Sequence, residues 1–207
     1  MRILAALLVA AALLEPVVRL DAEVRAAVQA HRAAPLDRAM KVFTALGRRD
    51  VVAGALLGVA VFDPIAGPAT ARFAIAALVG TTLVVEGLRI SVGRPRPGGE
   101  AGRANASFPS GHAAGAFSLA WVLSRRWRRL APGWWALAGV VAWSRVYLDR
   151  HYLSDVACGA VLGVLCTWGI ARFGPFRAAP PLAESPARGS GPGPAAGPEW
   201  RSGPKLC

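Results

Sequence analysis

Carboxylates are scarce in this chain. Twelve Asp and Glu stand against 24 Lys and Arg, a formal net charge of +12, and charged residues of both signs make up only 17% of its 207 residues. With 54% hydrophobic residues and a mean hydropathy of +0.41, that deficit argues against an ordinary soluble domain and for a membrane protein. Cysteine is sparse too. Cys158 and Cys166 lie eight residues apart in one apolar run and Cys207 is remote from both; two turns of helix is too far for a disulfide, no metal-ligand spacing appears, and the thiols read as small apolar side chains. Also missing is any alternation of basic and aromatic residues of the kind that stacks on nucleobases. The positive charge is almost all arginine placed between apolar blocks, which excludes nucleic acid as the favoured partner and suits juxtamembrane anchoring or a phosphate site.

What is present is a series of apolar runs. ILAALLVAAALL, residues 3–14, follows a single basic residue and is expected to be an uncleaved first helix of about 17 residues, because Glu15, Pro16 and valines follow instead of a small-residue cleavage site. Residues 20–50 turn polar, with apolar positions three and four apart, which predicts amphipathic helices at the interface or on the bundle, ended by Gly47. Five more apolar blocks follow at 51–62, 69–88, 112–124, 132–148 and 153–172. The blocks at 51–62 and 112–124 are shorter than the ~18–20 residues that cross a bilayer, but their Ala and Gly content suits close helix contacts. The expected fold is therefore all-α: a polytopic membrane helix bundle of about six transmembrane helices with an amphipathic segment after the first, over residues 1–176. Residues 177–207, rich in Pro, Gly, Ala and Ser without hydrophobic period, are expected to be a disordered tail.

The loop SRRWRRL, residues 124–130, has four arginines and no visible task apart from topology, so the positive-inside rule puts it in the cytoplasm. Loops 91–111 and 149–152 then face the non-cytoplasmic side, and the basic 20–50 segment shares that side.

Three polar clusters sit at the ends of the apolar blocks. In RISVGRPRP, residues 89–97, Arg89 and Arg96 can clamp an oxyanion through paired N–H donors, with Pro95 and Pro97 stiffening the chain around Arg96; an arginine at a helix end is otherwise a headgroup anchor. In FPSGH, a helix beginning near His112 offers unpaired N–H groups, including that of Gly111, and Ser110 adds a hydroxyl donor; the plainer alternative is a Ser N-cap. In SRVYLDRHYLSD, residues 144–155, His151 and Asp155 are four apart, so a helix would let the carboxylate accept one ring N–H, while Arg145 adds another clamp. Coincidence of all three is a poor explanation.

Arg89–Pro97, Pro109–His112 and Ser144–Asp155 resemble the three-part signature of the type 2 phosphatidic acid phosphatase superfamily, which also includes bacterial acid phosphatases, glucose-6-phosphatase and vanadium haloperoxidases. The first motif of that family usually opens with Lys, where this chain has Arg89, so a planar fork replaces a point donor. The resemblance implies hydrolysis of a lipid phosphate or diphosphate with neither metal nor other cofactor. His151 would attack phosphorus, Asp155 would orient and stabilise its ring, and His112 would protonate the leaving oxygen. Arg89, Arg96, Arg145, Ser110 and Gly111 would hold the phosphoryl oxygens. The partners implied are the bilayer and the lipid phosphate, with the active site on the non-cytoplasmic face of the cell (inner) membrane; oligomeric state is not set. Polyprenyl diphosphates and phosphatidate-type lipids are the favoured substrates. Competing readings are a non-catalytic headgroup binder and a metal site of His112, His151 and Asp155. His31 matches no motif and reads as a surface or interfacial residue.

Overall fold

The computed structural model describes residues 2–63, 65–99 and 105–174. Among these the chain forms seven α-helices and no strand: α1 (Arg2–Ala30), α2 (Ala34–Leu46), α3 (Arg49–Phe62), α4 (Gly67–Val92), α5 (Gly111–Arg126), α6 (Ala131–Tyr147) and α7 (Leu153–Phe173). The expected all-α architecture is met. Six of the helices carry the six apolar runs, and α2, which buries no residue, is the amphipathic one.

The boundaries follow local chemistry. Pro35, Pro68 and Pro132 open α2, α4 and α6, where a missing N–H costs no helical hydrogen bond. Gly93 closes α4 in the left-handed region at φ 65°, its N–H bonded to the Arg89 carbonyl at 3.0 Å. One expectation fails here. The first helix does not stop after about 17 residues but runs through Pro16 to Ala30, so the first apolar run and the start of the polar segment are one rod. The expected tail at 177–207, like Cys207, lies outside the described residues.

α5 is the central helix, packed against α4, α6 and α7. Two apolar clusters hold it: Leu56, Phe73, Ala74, Trp121 and Val122 towards its C-terminal end, and Ala113, Ala142, Val146 and Val156 near its start. Its backbone touches that of α7 through Gly159 and Gly163, where an added Cβ would stand 2.5 Å from the Ser110 carbonyl oxygen and 2.2 Å from that of Ala114. Buried Ser118 and Thr167 join the same two helices by a 2.7 Å hydroxyl contact.

Only α4 and α7, among the described residues, are long and apolar enough by themselves to cross a membrane. Both turn large apolar side chains outward, Val84, Ile90 and Val92 on one and Val161, Leu165 and Trp168 on the other, as a lipid-facing surface does. α5, with 16 residues, is about 24 Å long, and it is enclosed by protein, which removes the length requirement that lipid would impose.

The arginines beyond α5 have more work than topology. Arg126 is buried, pairs with Asp63 at the end of α3 and lies over the Trp127 ring, while Arg125 lies over Trp121. Arg128 and Arg129 remain exposed. The reading of the whole loop as a topology signal is corrected accordingly: one of its charges pins α3 to α5.

Candidate active site

The polar clusters meet at one end of the bundle. Arg89 in the last turns of α4, Arg96 in the segment that follows, Gly111 and His112 at the start of α5, Arg145 near the end of α6 and His151 in the turn before α7 all line one cavity of about 910 Å³. The rest of its wall is mostly apolar and comes from α3, α4 and α5, with Val52, Leu56, Ile75, Leu78 and Leu119 among the lining residues.

Each guanidinium is held by a neighbouring acceptor. Nη1 of Arg89 donates to both Glu86 oxygens at 2.8 and 3.0 Å, and Arg145 Nη1 donates to Thr44 Oγ1 at 2.7 Å. Arg96 donates through Nε to the Asn105 carbonyl and side-chain oxygens at 2.9 and 3.0 Å, and through Nη1 to the Arg150 carbonyl at 3.1 Å. Two donors are left over: the Nε groups of Arg89 and Arg145 are buried without an acceptor. Orphaned charged donors at a cavity wall are what an anion site requires, because their desolvation is offset only when an oxyanion arrives. Gly111 contributes by lacking a side chain, since a Cβ there would be 3.3 Å from Arg89 Nη2.

Ser110 is fully buried and is not part of the cavity wall. Its hydroxyl accepts from the Ala113 N–H at 3.5 Å as the N-cap of α5, the plainer of its two expected roles, and Gly111 is the wall residue from that turn.

His151 is buried, and its Nδ1 lies 2.7 Å from the Ser107 carbonyl oxygen. A carbonyl only accepts, so Nδ1 carries the proton and Nε2 the lone pair. The expected hydrogen bond to Asp155 is absent: its Oδ2 is 3.8 Å from Nδ1. The reason is local. α7 begins only at Leu153, so His151 precedes the helix and the four-residue spacing is not a helical one. Asp155 instead accepts the Tyr152 N–H at 2.9 Å and an Arg94 N–H at 2.7 Å. Burial, aided by Arg145 and Arg96 and opposed by the nearby Asp155 carboxylate, pushes the His151 imidazole below its ordinary value. It is therefore neutral at physiological pH.

His112 stands at the second position of α5 with its ring against Gly47, whose added Cβ would be 2.8 Å from the ring Cδ2. Gly47 has φ −86°, within reach of any residue; it is needed here for space. His31 is exposed in the turn after α1 and bonds the Ala27 carbonyl of that helix.

Sequence reasoning missed Arg94, Asp21, Glu86, Thr44 and the Ser107 carbonyl. Arg94 lies in the first motif and was overshadowed by Arg96. Glu86 stands three residues before Arg89 on one helix face, a local signal that went unused, while Asp21, Thr44 and the Ser107 carbonyl act on partners remote in sequence and leave no local pattern.

Comparison with known proteins points to one family. A family model described as the PAP2 superfamily matches residues 70–178. Lipid A 1-phosphatase of Porphyromonas gingivalis is 39% identical over 82 residues, 37% of this chain and only 18% of that protein. Among solved structures, Aquifex aeolicus LpxE aligns with a TM-score of 0.62 and 27% identity over 70% of this chain and 91% of its own. The transmembrane PAP2-type phosphatidylglycerolphosphate phosphatase of Bacillus subtilis gives 0.64 over 80% and 90%, and at 23% identity it supports the fold alone. The matched family segment holds Arg89, Arg96, His112, Arg145, His151 and Asp155, and on these grounds the chain belongs to the PAP2 superfamily.

Proposed function

We propose that this chain is an integral membrane phosphatase that hydrolyses a lipid phosphate or lipid diphosphate through a phosphohistidine at His151, without a metal. The observation that carries the reading is a single cavity in which Arg89, Arg96 and Arg145 meet His112 and His151 at one end, with Arg49 and Glu86 beside them, while most of the remaining wall is apolar. An amphipathic phosphate ester matches both parts.

The phosphoryl group sits among Arg89, Arg96, Arg145 and the N–H groups opening α5, which take up the charge that grows on its oxygens. Nε2 of His151 forms the N–P bond as the P–O bond to the lipid breaks, and His112 gives its proton to the leaving oxygen. Water then attacks phosphorus, His112 takes back a proton, the N–P bond breaks and inorganic phosphate leaves. Asp155 acts at 3.8 Å by stabilising the cationic ring. Support for independence from metal comes from the charges present: both Asp155 oxygens are engaged by donors, one of them the Arg94 guanidinium, and arginines supply the positive field.

The relative named a lipid A 1-phosphatase supports testing lipid A phosphate first, beside phosphatidate, phosphatidylglycerophosphate and undecaprenyl diphosphate. Arg128 and Arg129 lie beyond the far end of α5 from His112, which supports a cytoplasmic loop and a non-cytoplasmic active site in the cell membrane. Residues 1–176 constitute the phosphatase domain.

The test is an assay of purified full-length protein in detergent against those four lipids, with His151→Ala as the blank. Release of phosphate that survives chelators and is blocked by vanadate is expected. Loss of activity on chelation, restored by added metal, would replace this mechanism with a metal site; no release from any lipid would favour a headgroup-binding protein.

A further inference from the structure

α1 lies wholly outside the stretch matched by the family model, yet one face of it reaches the loop that carries His151. Asp21, Arg25 and Gln29 are spaced four apart, so they form one stripe along the helix. Asp21, itself buried, accepts the Ser154 N–H at 2.8 Å, the Ser154 hydroxyl at 2.5 Å and Arg94 Nη2 at 2.8 Å. Arg25 grips Asp149 with two parallel bonds, Nε to Oδ1 at 2.7 Å and Nη2 to Oδ2 at 2.8 Å. Gln29 donates to the Tyr147 carbonyl at 3.3 Å.

These partners bracket His151 on both sides. Asp149 has φ 56°, a left-handed conformation that Asp tolerates better than most residues but that still needs to be held. Ser154 is the second residue of α7, where the backbone N–H has no partner within the helix; Asp21 supplies one. Arg94 carries the link onward, since the guanidinium that binds Asp21 also donates to Asp155 and lies 4.1 Å over the Tyr152 ring.

We propose that α1 is a positioning element for the nucleophile: Asp21 and Arg25 hold residues 149–154 at both flanks and thereby fix the direction of the His151 ring. This rests on His151 as the attacking group. The side chains of α1 act through the loop and touch no substrate, so their loss lowers turnover and leaves substrate binding alone.

The experiment measures kcat and KM of the purified full-length chain in detergent with the best lipid substrate. Asp21→Asn, Arg25→Ala and Asp149→Asn are each expected to lower kcat at least tenfold with KM within about twofold of the unmodified chain. Arg25→Ala combined with Asp149→Asn should be no slower than the slower single variant, because both remove one interaction. Arg25→Lys should recover part of the rate, and it carries the test should Arg25→Ala not fold. Arg19→Ala, which removes an exposed arginine from the same helix, is the control at full rate. Full kcat in Asp21→Asn and Arg25→Ala, with His151→Ala inert, overturns the positioning role and leaves the nucleophile standing. An active His151→Ala overturns both.

Discussion

The Nδ1 atom of His151 lies 2.7 Å from the carbonyl oxygen of Ser107 and 3.8 Å from Oδ2 of Asp155. A backbone acceptor therefore fixes the tautomer, and the carboxylate acts from one step further away. In protein carrying 15N-labelled histidine, NMR at neutral pH is expected to show the His151 ring neutral and protonated on Nδ1, and to keep that tautomer in Asp155→Asn. A switch to the Nε2–H form in that variant would return the orienting role to Asp155.

The environment of His151 also sets a pH dependence. Burial first, then Arg145 and Arg96, hold its value below the ordinary imidazole, so the ring stays neutral as pH falls through about 6.5 and gains its proton only lower. Attack on phosphorus needs the neutral ring, so the acid limb of kcat/KM that belongs to His151 lies below about pH 6.5. Arg145→Gln removes a positive neighbour, raises the value and moves that limb to higher pH while the rate falls. A limb that stays in place or moves down would contradict the assignment.

Gly47 is expected to behave as a site residue despite lying in the connection after α2. Its replacement by Ala brings a methyl to 2.8 Å from His112 Cδ2 and 3.0 Å from Val141 Cγ1, and the ring gives way because it is the movable partner. Displacement of an acid catalyst by a fraction of an ångström costs about 10- to 100-fold in kcat. Steady-state kinetics should show that loss with a nearly unchanged melting temperature.

Gly163 is the opposite case. A Cβ there would stand 2.2 Å from the backbone oxygen of Ala114, and a backbone cannot step aside, so α5 and α7 must separate. Gly163→Ala is expected to destabilise the bundle by about 1–3 kcal/mol, read as a lower melting temperature in detergent. Gly169→Ala, six residues further along α7 with open space around it, should not lower that temperature.

How far the sequence reached depended on how local each feature was. The six apolar runs and the three polar clusters were legible because hydropathy and a dense set of Arg, His and Ser at helix ends are written in consecutive residues. The cavity that joins Arg89, Arg96, Gly111, His112, Arg145 and His151 follows from them. What failed was geometry that depends on where a helix starts. Reading His151 and Asp155 as one helical face assumed that all of residues 151–155 are helical, whereas α7 opens two residues after His151. Gly47 does end α2 as the sequence indicates, but only the packed His112 ring reveals its second, steric need. Arg126 looked like a topology charge until Asp63, 63 residues earlier, was found beside it. Asp21 and Arg25 contact residues more than 120 positions away, and no periodicity within α1 signals such partners.

The central claim is that Nε2 of His151 takes the phosphoryl group. Acid-free quenching of the full-length protein during turnover of a 32P-labelled lipid phosphate, followed by peptide mapping, tests it most directly. The label is expected on the peptide containing His151, as the Nε2 isomer, absent from His151→Ala and chased off by unlabelled substrate. Phosphate turnover with no label on that peptide, or label that persists in His151→Ala, would contradict it.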